Sequence, residues 1–131
     1  MHPNEELARR ELEVVAAGDT DAIRALYAED FVLHYPGRNP LAGDHDIETF
    51  LGKLGALFGE DATVERTLHD ALGSDDHAVQ LLTVSVNARG RSHTWHPIFV
   101  MHVRDGKIAE AWISVDDQHA LDDYLNSLAR G

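Results

Sequence analysis

The sequence contains no cysteine, which excludes disulfides and thiolate metal sites outright. No apolar run approaches the length of a membrane span. The first residues, Met1-His2-Pro3-Asn4-Glu5-Glu6, lack the basic start and apolar stretch of a secretory signal. A cytoplasmic location with no membrane partner is therefore expected. Positive charge is scarce: 11 Lys and Arg stand against 23 Asp and Glu, a formal net charge of -12. That balance opposes phosphate backbones and anionic lipid, so no nucleic-acid partner is expected. The chain also lacks a glycine-rich phosphate loop, a strand-turn-helix nucleophile elbow and a basic-aromatic stretch. The nine histidines show no ligand spacing. His93 and His96 lie three apart on a strand pattern and face opposite sides, and His34, His45 and His102 are isolated. Neither a metal nor a cofactor is expected.

What remains is a folded chain with a pocket-sized core. Its 131 residues, 44% of them hydrophobic, match one domain spanning 1–131. Helical spacing predicts a first helix over Glu5 to Ala17, capped by Asn4, ended by Gly18, with Ala8, Leu12 and Val15 on one face. Asp19 caps a second helix through about Ala28 that buries Ile23, Leu26 and Tyr27. Phe31 to Tyr35 reads as a strand that Pro36-Gly37 breaks, and an irregular loop continues to Gly43. A third helix, capped by Asp44 or Asp46, buries Ile47, Phe50, Leu51, Leu54 and Phe58. Gly52 and Gly55 weaken it by about 1 kcal/mol each, which points to close packing or room for a ligand.

Four strand patterns follow, at Thr63–Leu72, His77–Ala88, Ser92–Arg104 and Lys107–Val115, then a short helix from about Asp117 carrying Leu121, Leu125 and Leu128. Helices first and an antiparallel meander afterwards specify an α+β class. Asp105-Gly106 is a two-residue hairpin signal. Counted outward from it, Val103 faces Ile108, Phe99 faces Trp112, Pro97 faces Ser114 and Trp95 faces Asp116, all on one face. The other face carries Val100, Ala111, Ile98 and Ile113, so both faces are apolar. The expectation is one face on helices and the other on a second copy, a homodimer packed through the open Val100/Ala111/Ile98 face. Glu110 then falls on the core side, where a bulge would be needed to turn it out. Pro97 marks an irregularity.

This register sets Asp116 against Trp95 and Trp112, where desolvation would raise its pKa and suit it to acid/base work. Helix capping is the competing role for Asp116, and more so for Asp117. Tyr35 shares parity with Leu33 and Phe31 and points inward, able to hold a carbonyl or oxyanion. His34 is the adjacent candidate, with a plain sheet-face histidine as its competing reading. Tyr27, Phe50, Leu54, Trp95, Phe99 and Trp112 are the expected pocket walls around a small apolar molecule.

Several motifs carry a family likeness. Ala17-Gly18-Asp19, Leu26-Tyr27-Ala28-Glu29-Asp30-Phe31, His34-Tyr35-Pro36-Gly37 and Gly43 resemble the opening half of SnoaL-like proteins. Arg104-Asp105-Gly106-Lys107-Ile108-Ala109-Glu110-Ala111-Trp112 resembles their closing hairpin. The resemblance implies the cystatin-like, nuclear transport factor 2-like cone: a curved antiparallel sheet around N-terminal helices, with a common sheet-to-sheet dimer. That superfamily holds ketosteroid isomerases, polyketide cyclases, epoxide hydrolases, dehydratases and non-catalytic binders. By resemblance to the polyketide cyclases, Asp116 takes the place of their strand-end acid/base. The ketosteroid isomerase pattern is not kept: its base position holds Tyr35, and its oxyanion-holding positions fall near Glu11 and at Phe99. Two functions follow as expectations. One is a cofactor-free acid/base isomerase, cyclase or dehydratase for an apolar carbonyl compound. The other is a non-catalytic binder or scaffold of the same fold.

Overall fold

Local chemistry sets the boundaries of each element. In the computed structural model, which describes residues 1–131, α1 spans Pro3–Ala17. Its cap is the His2 ring rather than Asn4: Nδ1 accepts from the Asn4 amide at 3.0 Å. Asn4 is buried instead and donates to the Ser74 (2.7 Å) and Asp75 (3.2 Å) carbonyls. Asp19 caps α2 (Thr20–Leu26), and Asp46 caps α3 (Ile47–Phe58). Asp117, not Asp116, caps α4 (Gln118–Arg130), accepting from the Ala120 amide. No helix is long and apolar enough to cross a membrane.

The strands are β1 (Tyr27–Tyr35), β2 (Gly43–His45), β3 (Thr63–Gly73), β4 (His77–Ala88), β5 (Arg91–Trp95), β6 (Pro97–Arg104) and β7 (Lys107–Val115). The sheet order is β2-β1-β7-β6-β4-β3, with β5 paired to β4. One pairing corrects the all-antiparallel expectation: β1 runs parallel to β7. The expected third strand is two strands. It breaks at His96, just before Pro97, so that β4 pairs with β6 through His77–Leu81 and with β5 through Val84–Ala88. The loop after Pro36 also holds a short edge strand, β2, that periodicity did not reveal.

The last hairpin turns as its sequence requires. Asp105 (φ 55°) and Gly106 (φ 74°) both occupy the left-handed region of a type I′ turn, and Arg104 faces Lys107. One pair further the simple count fails. Val103 faces Ile108 but His102 faces Glu110, leaving Ala109 as an extra residue in β7. This bulge flips every later side chain of β7 to the opposite face. Phe99 therefore faces Ile113, and Trp112 faces Val100. Glu110 is turned outward, Ala111 inward.

Two inward rows show what the cone does with its interior. Leu33, Ala111, Met101, Ala78 and Gly73 align across five strands. The four non-glycine members are 0–2% exposed. A side chain on Gly73 would strike the backbone of Asn4 and Glu5, so α1 rests directly on the sheet and closes this end. The next inward row, Ile113, Phe99 and Gln80, is not filled from above, and a cavity opens there.

At the other side, Asp122 of α4 anchors the loop after β1. Its carboxylate accepts from the Arg38 amide (3.1 Å), Asn39 (2.7 Å) and Gln118 (2.9 Å). Burial acts to raise its pKa, but those hydrogen bonds outweigh it and hold the group below the ordinary carboxylate value. A depressed folded pKa gives stability that is present above the unfolded value and lost as pH falls through the folded one. Asp122→Ala should accordingly cost about 1 kcal/mol at neutral pH and less at a pH below both pKa values. Urea unfolding at the two pH values measures this, and an equal loss at both would refute it.

Candidate functional site

The cavity is enclosed by α1, α3 and the inner sheet face, and it measures about 120 Å³. That is the scale of one aromatic ring. Hydrophobic residues make up 18 of its 22 lining residues, which sets its preference for apolar ligands. A wider vestibule of about 540 Å³ adjoins it and shares Leu12, Val15, Leu54, Phe58, Val64 and Arg66. Gly55 lines that vestibule, and a Cβ there would meet nothing within 4 Å. Room at the mouth, not close helix packing, is what this glycine leaves.

Of the residues anticipated as walls, Tyr27, Phe50, Leu54, Trp95 and Phe99 line the cavity. So does Tyr35, through the parity it shares with Leu33 and Phe31. Its ring packs on Phe50 with centroids 5.5 Å apart. Burial pushes the Tyr35 phenol well above its ordinary value, so it stays a neutral O–H donor. Its hydroxyl is not committed to any protein acceptor.

Three anticipated site residues are elsewhere. Trp112 is 39% exposed on the outer sheet face, because the Ala109 bulge reverses its parity. Asp116 is exposed and does not line the cavity. It accepts from the His96 amide (3.0 Å) and faces His96 Nδ1 (2.9 Å), pinning the β5–β6 break. Those hydrogen bonds hold its carboxyl below the ordinary range, opposite to the raised value that acid/base work at neutral pH requires. His34 alternates with Tyr35 and points outward. There its Nδ1 meets Asp44 at 2.7 Å, its Nε2 meets Glu110 at 2.6 Å, and its ring stacks on Trp112 at 5.6 Å.

His34 is thus an imidazolium clamp joining β2, β1 and β7. The hydrogen bonds to Glu110, then to Asp44, raise its pKa above 6.5. A raised folded pKa gives stability present below the unfolded value and lost as pH rises through the folded one. In an NMR titration the His34 ring should show a midpoint above about 6.5, and Glu110→Gln should lower it. A midpoint at or below that value would contradict the clamp.

The acid that the cavity does contain is Glu11. It is 5% exposed and is reached from two elements. Tyr27 Oη donates to one carboxylate oxygen at 2.9 Å, and Gln80 Nε2 donates to the other at 2.8 Å. Gln80 Nε2 also donates to the Ala8 carbonyl at 2.7 Å. Burial first, and the adjacent Glu11 carboxylate second, hold the Tyr27 phenol far above its ordinary value. Tyr27 is therefore a permanent hydrogen-bond donor. A carboxylate offers about four lone-pair sites, and two of Glu11's are in use. Arg66, from β3, lines both cavity and vestibule. Its charge opposes the burial effect on Tyr27 and on Tyr35, so one cation serves both phenols.

Sequence reading passed over Glu11 and Gln80 as site members. The signal was a polar residue at an apolar parity. Glu11 lies on the Ala8/Leu12/Val15 stripe, and Gln80 interrupts the inward series Ala78, Leu82, Val84, Val86.

Solved structures share this architecture. Bal32a, from a soil-derived mobile gene cassette, superposes with a TM-score of 0.84 at 24% identity, covering 94% of this chain and 96% of that one. A Xanthomonas campestris protein of cystatin-like fold gives 0.83 at 22% identity, covering 94% and 98%. IdmH from Streptomyces antibioticus, a candidate polyketide cyclase, gives 0.70 at 23% identity, covering 99% and 100%. At these identities the likeness speaks for fold alone. None of the curated proteins matches the chain. The SnoaL-like domain model, however, matches residues 8–111, a span that runs from α1 to the middle of β7 and includes Glu11, Tyr27, Tyr35, Arg66 and Gln80. The chain belongs to the SnoaL-like family.

Proposed function

We propose that this protein is a cofactor-free acid/base enzyme that isomerises, cyclises or dehydrates an apolar carbonyl compound inside the cavity. The observation that carries the reading is a single carboxyl group, Glu11, fixed by two donors in a largely apolar cavity. Ionised Glu11 takes a proton from the carbon next to the substrate carbonyl. The electron pair moves into an enolate, whose oxygen accepts a hydrogen bond from Tyr35. Return of the proton to another carbon completes an isomerisation. Tyr27 and Gln80 keep Glu11 in place, so little reorganisation accompanies transfer. The family and the candidate cyclase among its structural neighbours support the same class of chemistry.

Deuterium exchange tests this without knowledge of the natural substrate. With 2-tetralone in D2O, one ring in the cavity and the other reaching the vestibule, the α-protons should exchange faster with protein than without. Saturable binding of the ketone with no added exchange would contradict the enzyme reading and leave a small-molecule binding protein.

The outer sheet face is proposed to pack against a second copy. Trp112, Val100, Val79 and Leu72 form one row across β7, β6, β4 and β3. Ile98 and Leu81 lie in the next. Trp112, Ile98 and Leu72 are 39%, 42% and 51% exposed, an apolar patch of the kind that marks an interface. Ala111, expected on this face, is fully buried on the other.

A further inference from the structure

Arg66 is the one half-buried arginine with no ion-pair or side-chain hydrogen-bond partner. Arg9, Arg24 and Arg104 meet carboxylates, and Arg89 and Arg91 donate to helix carbonyls. Arg10, Arg38 and Arg130 are exposed. Arg66 instead stands on the inner face of β3, opposite Val84, and its side chain lines both cavity and vestibule. No carboxylate of the chain forms a salt bridge with it, although acids outnumber bases 23 to 11. Glu11, in the cavity, accepts from Tyr27 and Gln80 instead, and Glu13, the acid at the vestibule, is exposed on α1.

A second unmet group lies deeper. Gln80 is 1% exposed, and its Oε1 has no hydrogen-bond partner. The amide cannot be reversed to relieve this. Its nitrogen faces two acceptors, the Ala8 carbonyl and Glu11, which fixes the oxygen on the unpartnered side. A buried acceptor left alone is costly, and a ligand hydroxyl that displaces the cavity wall beside Gln80 would satisfy it. Two complementary groups thus belong to the walls of the apolar space: an unpaired cation that also lines the vestibule, and a sealed acceptor at depth.

We propose that the substrate is a compact apolar acid, about one ring wide, whose carboxylate is held by Arg66 at the cavity mouth while a hydroxyl at its far end donates to Gln80. This rests on the reading of the cavity as a small-molecule site and names the class of molecule it selects. A guanidinium presents a planar fork suited to a carboxylate, whereas the ester of the same acid offers it only a weak neutral acceptor.

Three probes separate the parts: 4-hydroxybenzoate, its methyl ester, and benzoate, each titrated by NMR or calorimetry. The acid should bind at least about tenfold tighter than its ester. That preference should collapse in Arg66→Gln and partly return in Arg66→Lys, which keeps the charge but loses the fork. Loss of the hydroxyl, in benzoate, should weaken binding severalfold. An ester that binds as well as the acid to the unaltered protein overturns the anion anchor while leaving the cavity reading intact. Failure of all three probes to perturb cavity residues at millimolar concentration overturns both. A preference that persists in Arg66→Gln shows that the carboxylate is recognised elsewhere and likewise overturns the assignment.

Discussion

Glu11→Gln should reduce α-proton exchange of 2-tetralone by about two to four orders of magnitude, the usual worth of a positioned general base, with the fold unchanged. The substitution is nearly isosteric. An amide at position 11 still accepts from Gln80 Nε2 through its oxygen, and its nitrogen donates to Tyr27 Oη once that hydroxyl rotates. What disappears is the proton acceptor. Stability should not fall, because the amide is nearly the same size and keeps hydrogen bonds to both Tyr27 and Gln80. A variant no less stable than the parent but inert is the signature of a functional buried charge. Glu11 as a merely structural member would give the reverse: exchange unaffected and a loss of stability. Tyr35→Phe should act on the same step more mildly, since it removes one hydrogen bond to the enolate while leaving the base.

The second large effect concerns assembly. A twofold interface presents each residue twice, so one charge placed on it acts in duplicate. Trp112→Glu removes the aromatic anchor at the β7 end of the row Trp112–Val100–Val79–Leu72 and buries a carboxylate in each copy. Aromatic hot spots cost about 2 kcal/mol or more on truncation. Doubled, this is a loss of about a thousandfold in dimer affinity. Light scattering at tens of micromolar should show a dimer for the parent and a monomer for the variant. A monomeric parent, or an unaltered dimer in the variant, would remove the outer face as an interface. Because Trp112 is outside the cavity, this effect is separable from that of Glu11→Gln.

Much of this fold was legible because its signals are local. Gly18 and Asp19 separate α1 from α2, Asp46 starts α3, and Asp105-Gly106 turns the last hairpin, each by side-chain or backbone chemistry confined to a few residues. Pro97 announced the break between β5 and β6 because it cannot donate to a ladder. The parallel pairing of β1 with β7 joins residues about 80 positions apart, and no turn chemistry encodes it.

The site was harder to see, for one reason. A single extra residue at Ala109 is invisible to an alternation count, yet it exchanges the two faces of β7 beyond it. It carried Trp112 out of the pocket, brought Ile113 in, and dissolved the supposed aromatic enclosure of Asp116. The misplaced Glu110 was the one sign of it, a charge on the core side that the bulge restores to the surface beside His34. Glu11 and Gln80 were legible in principle by the same logic, as polar residues on otherwise apolar faces. Their meaning depends on meeting one another across 69 positions, which only the folded chain shows.

The two tryptophans lie on opposite faces of the sheet, Trp95 on the cavity wall and Trp112 on the outer surface. Their indole N–H signals, followed while 2-tetralone is added at constant protein concentration, report directly on where a small apolar ketone goes. If the interior between α1, α3 and the sheet is the binding site, the Trp95 signal shifts saturably and the Trp112 signal stays. Movement of Trp112 with Trp95 unmoved would place the ligand on the outer face and contradict the account.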